Sequence, residues 1–271
     1  MKSKKINHIA LSVLTALLLC VSWSVVGFTN SQTETQGLSF KAKVGKESYV
    51  LGEPIQVEFV FSNEGSTPLA IFGGGVETGA LKVFIASSQD GEYKEYFASG
   101  WGRKHGVEIS IEPKQSYKYQ ATILWNGKPN VSHLNENAAR EVLKGKITTE
   151  YALPAPGVYF IKGVSYVSEN AKKIESEPAQ IVINEPVGDD LKVWNRIKGN
   201  REIAQLLQKD SFDTGKDEEK IKLIEEVEEI IQKHPNSLYS DYLKPSLEKS
   251  KIHEKKRNEF YKNLSTPQKP Q

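Results

Sequence analysis

Between Leu38 and Asn184 apolar and polar residues alternate in short runs. Leu38, Phe40, Ala42 and Val44 form the first, and Ile55, Val57, Phe59 and Phe61 the second. The alternation resumes in Leu69–Phe72, in Leu81–Ile85, in Ile109 and Ile111, and from Tyr117 to Trp125. It returns from Val158 to Val167 and in Ala179, Ile181 and Ile183. Successive side chains of a strand point to opposite faces, so each run predicts a strand with one buried face. The clearest stretch is Tyr49 to Gly65, where Gly52 and Pro54 punctuate the start and Asn63-Glu64-Gly65 supplies turn chemistry at the end. About seven to nine strands separated by Gly, Pro and Asn groups predict a sandwich. No helical crossover lies between them, which favours antiparallel over parallel pairing. Residues 126–149 are the longest insertion. Leu134 to Leu143 within it reads as a short helix, which makes this segment a candidate functional loop.

The period changes after Glu185-Pro186-Val187-Gly188. Asp189 or Asp190 is expected to cap a helix running to about Lys198, with Leu191, Trp194 and Ile197 on its buried face and Gly199 ending it. A second helix, Arg201 to Lys209, carries Ile203, Leu206 and Leu207. In a third, Asp217 to Lys233, the residues Ile221, Ile224, Val227, Ile230 and Ile231 share one stripe, with acidic residues early and Lys233-His234 late. Pro235 stops it. A fourth runs from about Ser237 toward Leu264 and is expected to kink or restart at Pro245. The domain plan is therefore a signal peptide at 1–27, a linker at 28–37, the sandwich at 38–184, a helical module at 189–264 and a polar tail at 265–271.

The N-terminus changes the reading of the charge. Lys2, Lys4 and Lys5 precede the apolar run Ile9–Val26, and Val25-Val26-Gly27 offers small residues for cleavage, the layout of a secretory signal. Removing those three lysines takes the formal charge from +2 to −1, so no electrostatic case for nucleic acid survives. The expected location is periplasmic or extracellular, and an uncleaved segment 9–28 would instead anchor the chain in a membrane. Leu17-Leu18-Leu19-Cys20 resembles a bacterial lipobox, although Leu19 stands where that motif has a small residue. Cys20 is the only cysteine. A cleaved chain has none, which excludes disulfides, thiolate metal sites and thiol catalysis.

Three phrases resemble the immunoglobulin-like modules of bacterial envelope proteins: Tyr49–Gly65, Ile111–Tyr117 and Leu153–Tyr159. The resemblance implies an all-β immunoglobulin-like antiparallel sandwich in which the Tyr159 hydroxyl ties down a corner. The turn before the strand ended by Trp125 is similar to one in the intracellular proteinase inhibitor family, which implies inhibition through the loop 126–149. Ile230 to Tyr239 resembles the Tyr-Pro-x-Ser turn of tetratricopeptide-like repeats, which implies a C-terminal α-helical hairpin that binds protein. Only one copy is present, with no second at the repeat period.

Few residues point to chemistry. The five histidines lack ligand spacing, and Arg257 replaces the second histidine of a zincin-like phrase at His253-Glu254. Gly73-Gly74-Gly75 is followed by no Lys-Ser/Thr pair, so it reads as a turn and not a phosphate cradle. In Asp210–Asp217, Phe212 and Thr214 fall where a calcium loop needs oxygen ligands. No cofactor is expected. Tyr93, Tyr96, Phe97 and Trp101 are followed by Arg103, Lys104 and His105. Rings beside hydrogen-bonding groups stack on sugars or anchor protein partners. Tyr93 and Phe97 are expected to fill the core, which leaves Tyr96, Trp101, Arg103 and His105 as candidate binding residues. The expected function is non-catalytic binding of a protein or glycan partner in the bacterial envelope. The alternatives are peptidase inhibition through the projecting loop and a hydrolase whose site is assembled from residues distant in sequence.

Overall fold

The computed structural model describes residues 37–98, 107–127, 150–167, 172–212 and 217–265. The predicted signal and linker, the predicted helix Leu134–Leu143 and the tail 266–271 lie outside the described residues. Residues from Gln36 onward form one compact unit.

Thirteen strands are present among the described residues. They are β1 Leu38–Val44, β2 Ser48–Val50, β3 Ile55–Asn63, β4 Leu69–Gly73, β5 Lys82–Ala86, β6 Lys94–Tyr96 and β7 Val107–Ile111, followed by β8 Ser116–Ile123, β9 Trp125–Asn126, β10 Glu150–Tyr151, β11 Gly157–Val167, β12 Lys172–Glu175 and β13 Ala179–Asn184. One sheet has the order β1-β3-β8, a second runs β2-β13-β11-β4-β7 with β5 and β12 also on β11 and β6 on β5, and β9 and β10 form a separate antiparallel pair. The ladders are antiparallel except for β2 on β13. The chain thus starts in one sheet and has crossed to the other by Ser48, which closes that side of the sandwich.

The inward row of β3, Ile55, Val57, Phe59 and Phe61, is buried as its alternation predicts. Phe40 stacks on Phe61 with ring centroids 4.1 Å apart and tilts against Phe59. Gly163, in the middle of β11, makes room for them. A Cβ there would stand 2.7 Å from the Phe40 ring and 2.8 Å from that of Phe59. Asn63, at the end of β3, is buried and binds two turns together. Its Nδ2 donates to the carbonyls of Thr67 and Ile111, both at 2.8 Å, and its Oδ1 accepts from Gly65 N at 2.9 Å. Tyr159 Oη donates to Ala155 O at 2.8 Å, so the hydroxyl ties down the corner before β11.

Four α-helices follow among the described residues: α1 Gly188–Ile197, α2 Arg201–Lys209, α3 Asp217–Lys233 and α4 Leu238–Ser265. Asn200 caps α2 by accepting from the amides of Glu202 and Ile203. The capping expected of Asp189 or Asp190 on their own helix is not found, since Val187 occupies that position without a side-chain bond. Asp190 instead caps α4, accepting from Leu238 N at 2.7 Å and from Ser237 Oγ at 2.8 Å. The buried face of α1 is Val193, Trp194 and Ile197, and Leu191 is exposed. On α3 the stripe is rotated: Ile221 faces out, and Lys220 is buried in an ion pair with Glu254 of α4 at 2.5 Å. Helix α4 passes Pro245 without restarting. Tyr239, Leu243, Leu247 and Ser250 are buried along it, and that packing outweighs one missing ladder bond.

The helices are seated on the turn between β2 and β3. Gly52 has φ +81, and the Trp194 ring lies so close that a Cβ would stand 2.1 Å from its Cζ3. Tyr239 Oη donates to Leu51 O at 2.5 Å. The Glu53 side chain is fully buried between the two parts. Its Oε1 accepts from Tyr242 Oη at 2.6 Å and pairs with Lys46 at 2.5 Å, while Oε2 accepts from Val50 N at 2.9 Å. Beside it Trp125, Tyr151, Trp194 and Tyr239 form a row of rings with successive centroids 5.1, 4.9 and 6.2 Å apart.

Two outcomes follow from this seat. Gly52→Ala combines a left-handed backbone with a collision against Trp194, and should cost about 1–3 kcal/mol. A urea melt checks this, and an unchanged midpoint refutes it. Burial pushes the hydroxyls of Tyr239 and Tyr242 above the usual tyrosine value, and the Glu53 carboxylate adds to the rise at both. The unfolded chain ionises these phenols near pH 10, roughly, while the folded chain keeps them protonated. Their contribution is therefore complete below that pH and is lost as pH rises above it. The thermal midpoint of the native chain should fall more steeply from about pH 9 to about pH 11 than that of a Tyr239→Phe, Tyr242→Phe double variant. Parallel slopes would contradict this.

Candidate functional site

Among the described residues, strand β8 is an edge of the three-stranded sheet. Which of its backbone groups face outward follows from two bonds. Gly45 N donates to Gln56 O, so the even-numbered residues of β3 turn toward β1 and the odd ones toward β8. Asn63 N donates to Gln115 O, which puts the odd residues of the β8 side against β3. Ser116, Lys118, Gln120 and Thr122 therefore point their N–H and C=O groups away from the sheet.

At Thr122 this edge is closed by side chains. Tyr96 Oη donates to Thr122 O at 3.2 Å. Gln208, near the end of α2, donates from Nε2 to Tyr96 Oη at 2.6 Å and accepts on Oε1 from Trp125 N at 3.1 Å. One helical glutamine thus fixes both the tyrosine and the start of β9.

Before the closed end lies a cleft of about 230 Å³, with Val76, Ala98 and Ala121 as its apolar part. Its polar lining is Glu77, Tyr96, Gln120, Thr122, Gln208 and Lys209. Glu77 is exposed and belongs to a short 3-10 helix, Val76–Thr78, that follows the triple glycine. Tyr119 Oη donates to Glu77 Oε2. The glycines permit this arrangement. A Cβ on Gly75 would stand 1.8 Å from Tyr119 Oη, and one on Gly73 2.0 Å from Ile109 Cδ1. Burial pushes the Tyr119 phenol up, with the Glu77 carboxylate adding to it, and burial does the same at Tyr96. Both hydroxyls stay protonated at neutral pH and serve as fixed hydrogen-bond donors.

A second depression of about 290 Å³ lies between α3 and α4 over Ile231 and Leu247. Lys251 there pairs with Glu228 at 2.8 Å and with Glu248 at 3.6 Å. Among the described residues no group of three His, Cys, Asp or Glu side chains is placed to hold a metal ion.

Of the predicted site residues, Tyr96 lies in the cleft wall, but as a buried side chain and not as an open stacking ring. Trp101, Arg103 and His105 lie outside the described residues. The expected burial of Tyr93 and Phe97 is not found, since both are half-exposed. The register of β6 explains the exchange, because Tyr96 stands opposite Val83 and shares its core-facing side. Lys162 Nζ sits 4.4 Å from the centre of the Tyr93 ring. Glu77, Gln120 and Gln208 carry no sequence motif. The one local signal of close packing was the triple glycine.

No family model matches the sequence, and no curated protein matches it. Solved structures similar to part of it include the CARDB domain of a Pyrococcus furiosus protein, at 14% identity, covering 55% of this chain and 86% of that one with a TM-score of 0.26. The sporulation control protein Spo0M of Bacillus subtilis is 10% identical, covering 59% of this chain and 54% of that one at a TM-score of 0.30. A β-glucosidase from Erythrobacter marinus is 15% identical over 54% of this chain at a TM-score of 0.26, and the match spans only 16% of the glucosidase. These are distant likenesses to β-sandwich domains. The sandwich itself rests on the strand pairings given above.

The two glutamines of the cleft should behave differently on truncation. Gln208→Ala removes two bonds and leaves a buried backbone amide unpaired, at a cost of about 1–3 kcal/mol. Gln120→Ala, on an exposed position, should stay within about 0.5 kcal/mol of the native chain. Chemical denaturation of both variants measures this, and equal effects would refute the role given to Gln208.

Proposed function

We propose that this chain is an exported, non-catalytic binding module of the bacterial envelope, and that its ligand enters the cleft beside β8. The observation that carries the reading is the junction of the sandwich and the helical module at that cleft. The sandwich supplies Gln120, Thr122 and the exposed carboxylate of Glu77, and the helical module supplies Gln208 and Lys209. Pockets with a few placed polar groups over an apolar part bind ligands with defined orientation. The wall is held in place by its own hydrogen bonds, Tyr96 to Thr122 O and Tyr119 to Glu77. The N-terminal pattern of Lys2, Lys4 and Lys5 before Ile9–Val26 supports export.

The test is direct binding of the chain without its predicted signal to peptide and glycan arrays, beside a Gln120→Trp variant whose larger side chain fills the cleft. The reading expects saturable binding to one class of array and a loss of at least about tenfold in the variant, equivalent to about 1.4 kcal/mol, with an unchanged thermal midpoint. Equal binding by both proteins would remove the cleft from the proposal, and no binding to either array would remove the proposal itself.

A further inference from the structure

Resting on the reading of the cleft as a binding site, we infer that its ligand is an extended polypeptide segment that adds to β8 as a fourth strand and places a lysine or arginine side chain against Glu77. The backbone geometry carries this. Lys118 and Gln120 each turn an N–H and a C=O to the side of β8 on which no strand lies among the described residues, two residues apart, which is the repeat that a neighbouring strand supplies. A sugar ring offers hydroxyls at no such repeat.

Edge strands are commonly guarded by a lysine that obstructs pairing. Here Lys118 pairs with Glu58 on β3 at 3.2 Å, so its charge is drawn back over the sheet and off the edge. The open stretch also has a defined end. Tyr96 occupies Thr122 O, and Gln208 holds Tyr96 in place, so an added strand stops at Thr122. The cleft provides the room beside the edge, and its outer wall is the helix that carries Glu77. Tyr119 engages one oxygen of that carboxylate as a donor, which fixes its position. Main-chain bonds would supply the affinity and Glu77 the preference, the division of labour of strand addition generally.

The experiment uses the chain without its predicted signal, labelled with nitrogen-15, and end-blocked hexapeptides of alternating valine and threonine with a central Lys, Gln or Glu. Strand addition expects the Lys peptide to bind best and to slow hydrogen exchange at the Lys118 and Gln120 amides. N-methylation of the peptide amides that face β8 should weaken binding by at least about tenfold, while methylation of the intervening amides should leave it unchanged. Glu77→Gln keeps a partner for Tyr119 and should erase the preference for Lys over Glu without abolishing binding. Affinity indifferent to the position of methylation, or unaltered exchange at both amides, would overturn the inference. If the peptides fail while glycan binding persists and is lost in Gln120→Trp, strand addition falls and the binding cleft stands. If both fail in the native chain, both fall.

Discussion

The arrangement depends on how the turn Leu51-Gly52-Glu53 is covered. A buried carboxylate without partners is strongly unfavourable, and Glu53 is tolerable only because Lys46, Tyr242 and Val50 N converge on it. Two of these come from the sandwich and one from α4, so the charge is fully satisfied only when the helices are in place. Gly52 makes the contact close enough, since any side chain there would hold Trp194 away from the turn. The turn is thus at once a β-sheet corner and the receptor for the helical module. Removing either partner leaves something buried and unpaired on the other.

The same seat governs the cleft. Helix α2 is short, and its placement follows from α1 before it and α4 packed against it. With Trp194 and Tyr239 fixed over Gly52, Gln208 at the far end of α2 reaches Trp125 N and Tyr96 Oη, 83 and 112 positions away in sequence. The edge of β8 is therefore closed at Thr122 by a residue that the sandwich does not own. A loosened seat would release Gln208 and reopen the closed end, which links the stability of the junction to the shape of the binding surface.

Much of the sandwich was legible because its signals are local. The alternation in β3, the glycine and proline of the turn before it, the Asn63-Glu64-Gly65 turn after it and the Tyr159 corner all act within a few residues of themselves. Helices α2 and α3 have the bounds that their apolar residues predict. The strands β2, β6, β10 and β12 have two to four residues each, too short for alternation to register. Other errors have a common cause in long-range partners. Asp190 sits at the start of a helix, where a cap is expected, yet it caps one 48 residues on. Ile221 and Lys220 differ by one step around α3, and Glu254 on another helix decides which is buried. Tyr96 and Phe97 were exchanged because a three-residue strand has no period from which to read its inward face.

The cleft is illegible for the same reason, and more completely. Its residues come from the 3-10 helix, β6 and the residues after it, β8 and α2, and none belongs to a motif. A site that works through main-chain groups leaves almost no mark on the sequence that forms it. What can be read is the packing that creates the space. Three consecutive glycines at 73–75 let Ile109 and Tyr119 press against the backbone, which brings the Val76–Thr78 helix and Glu77 alongside β8. The triple glycine is therefore the sequence trace of the cleft: it shapes the wall of the site by absent side chains instead of cradling a ligand itself.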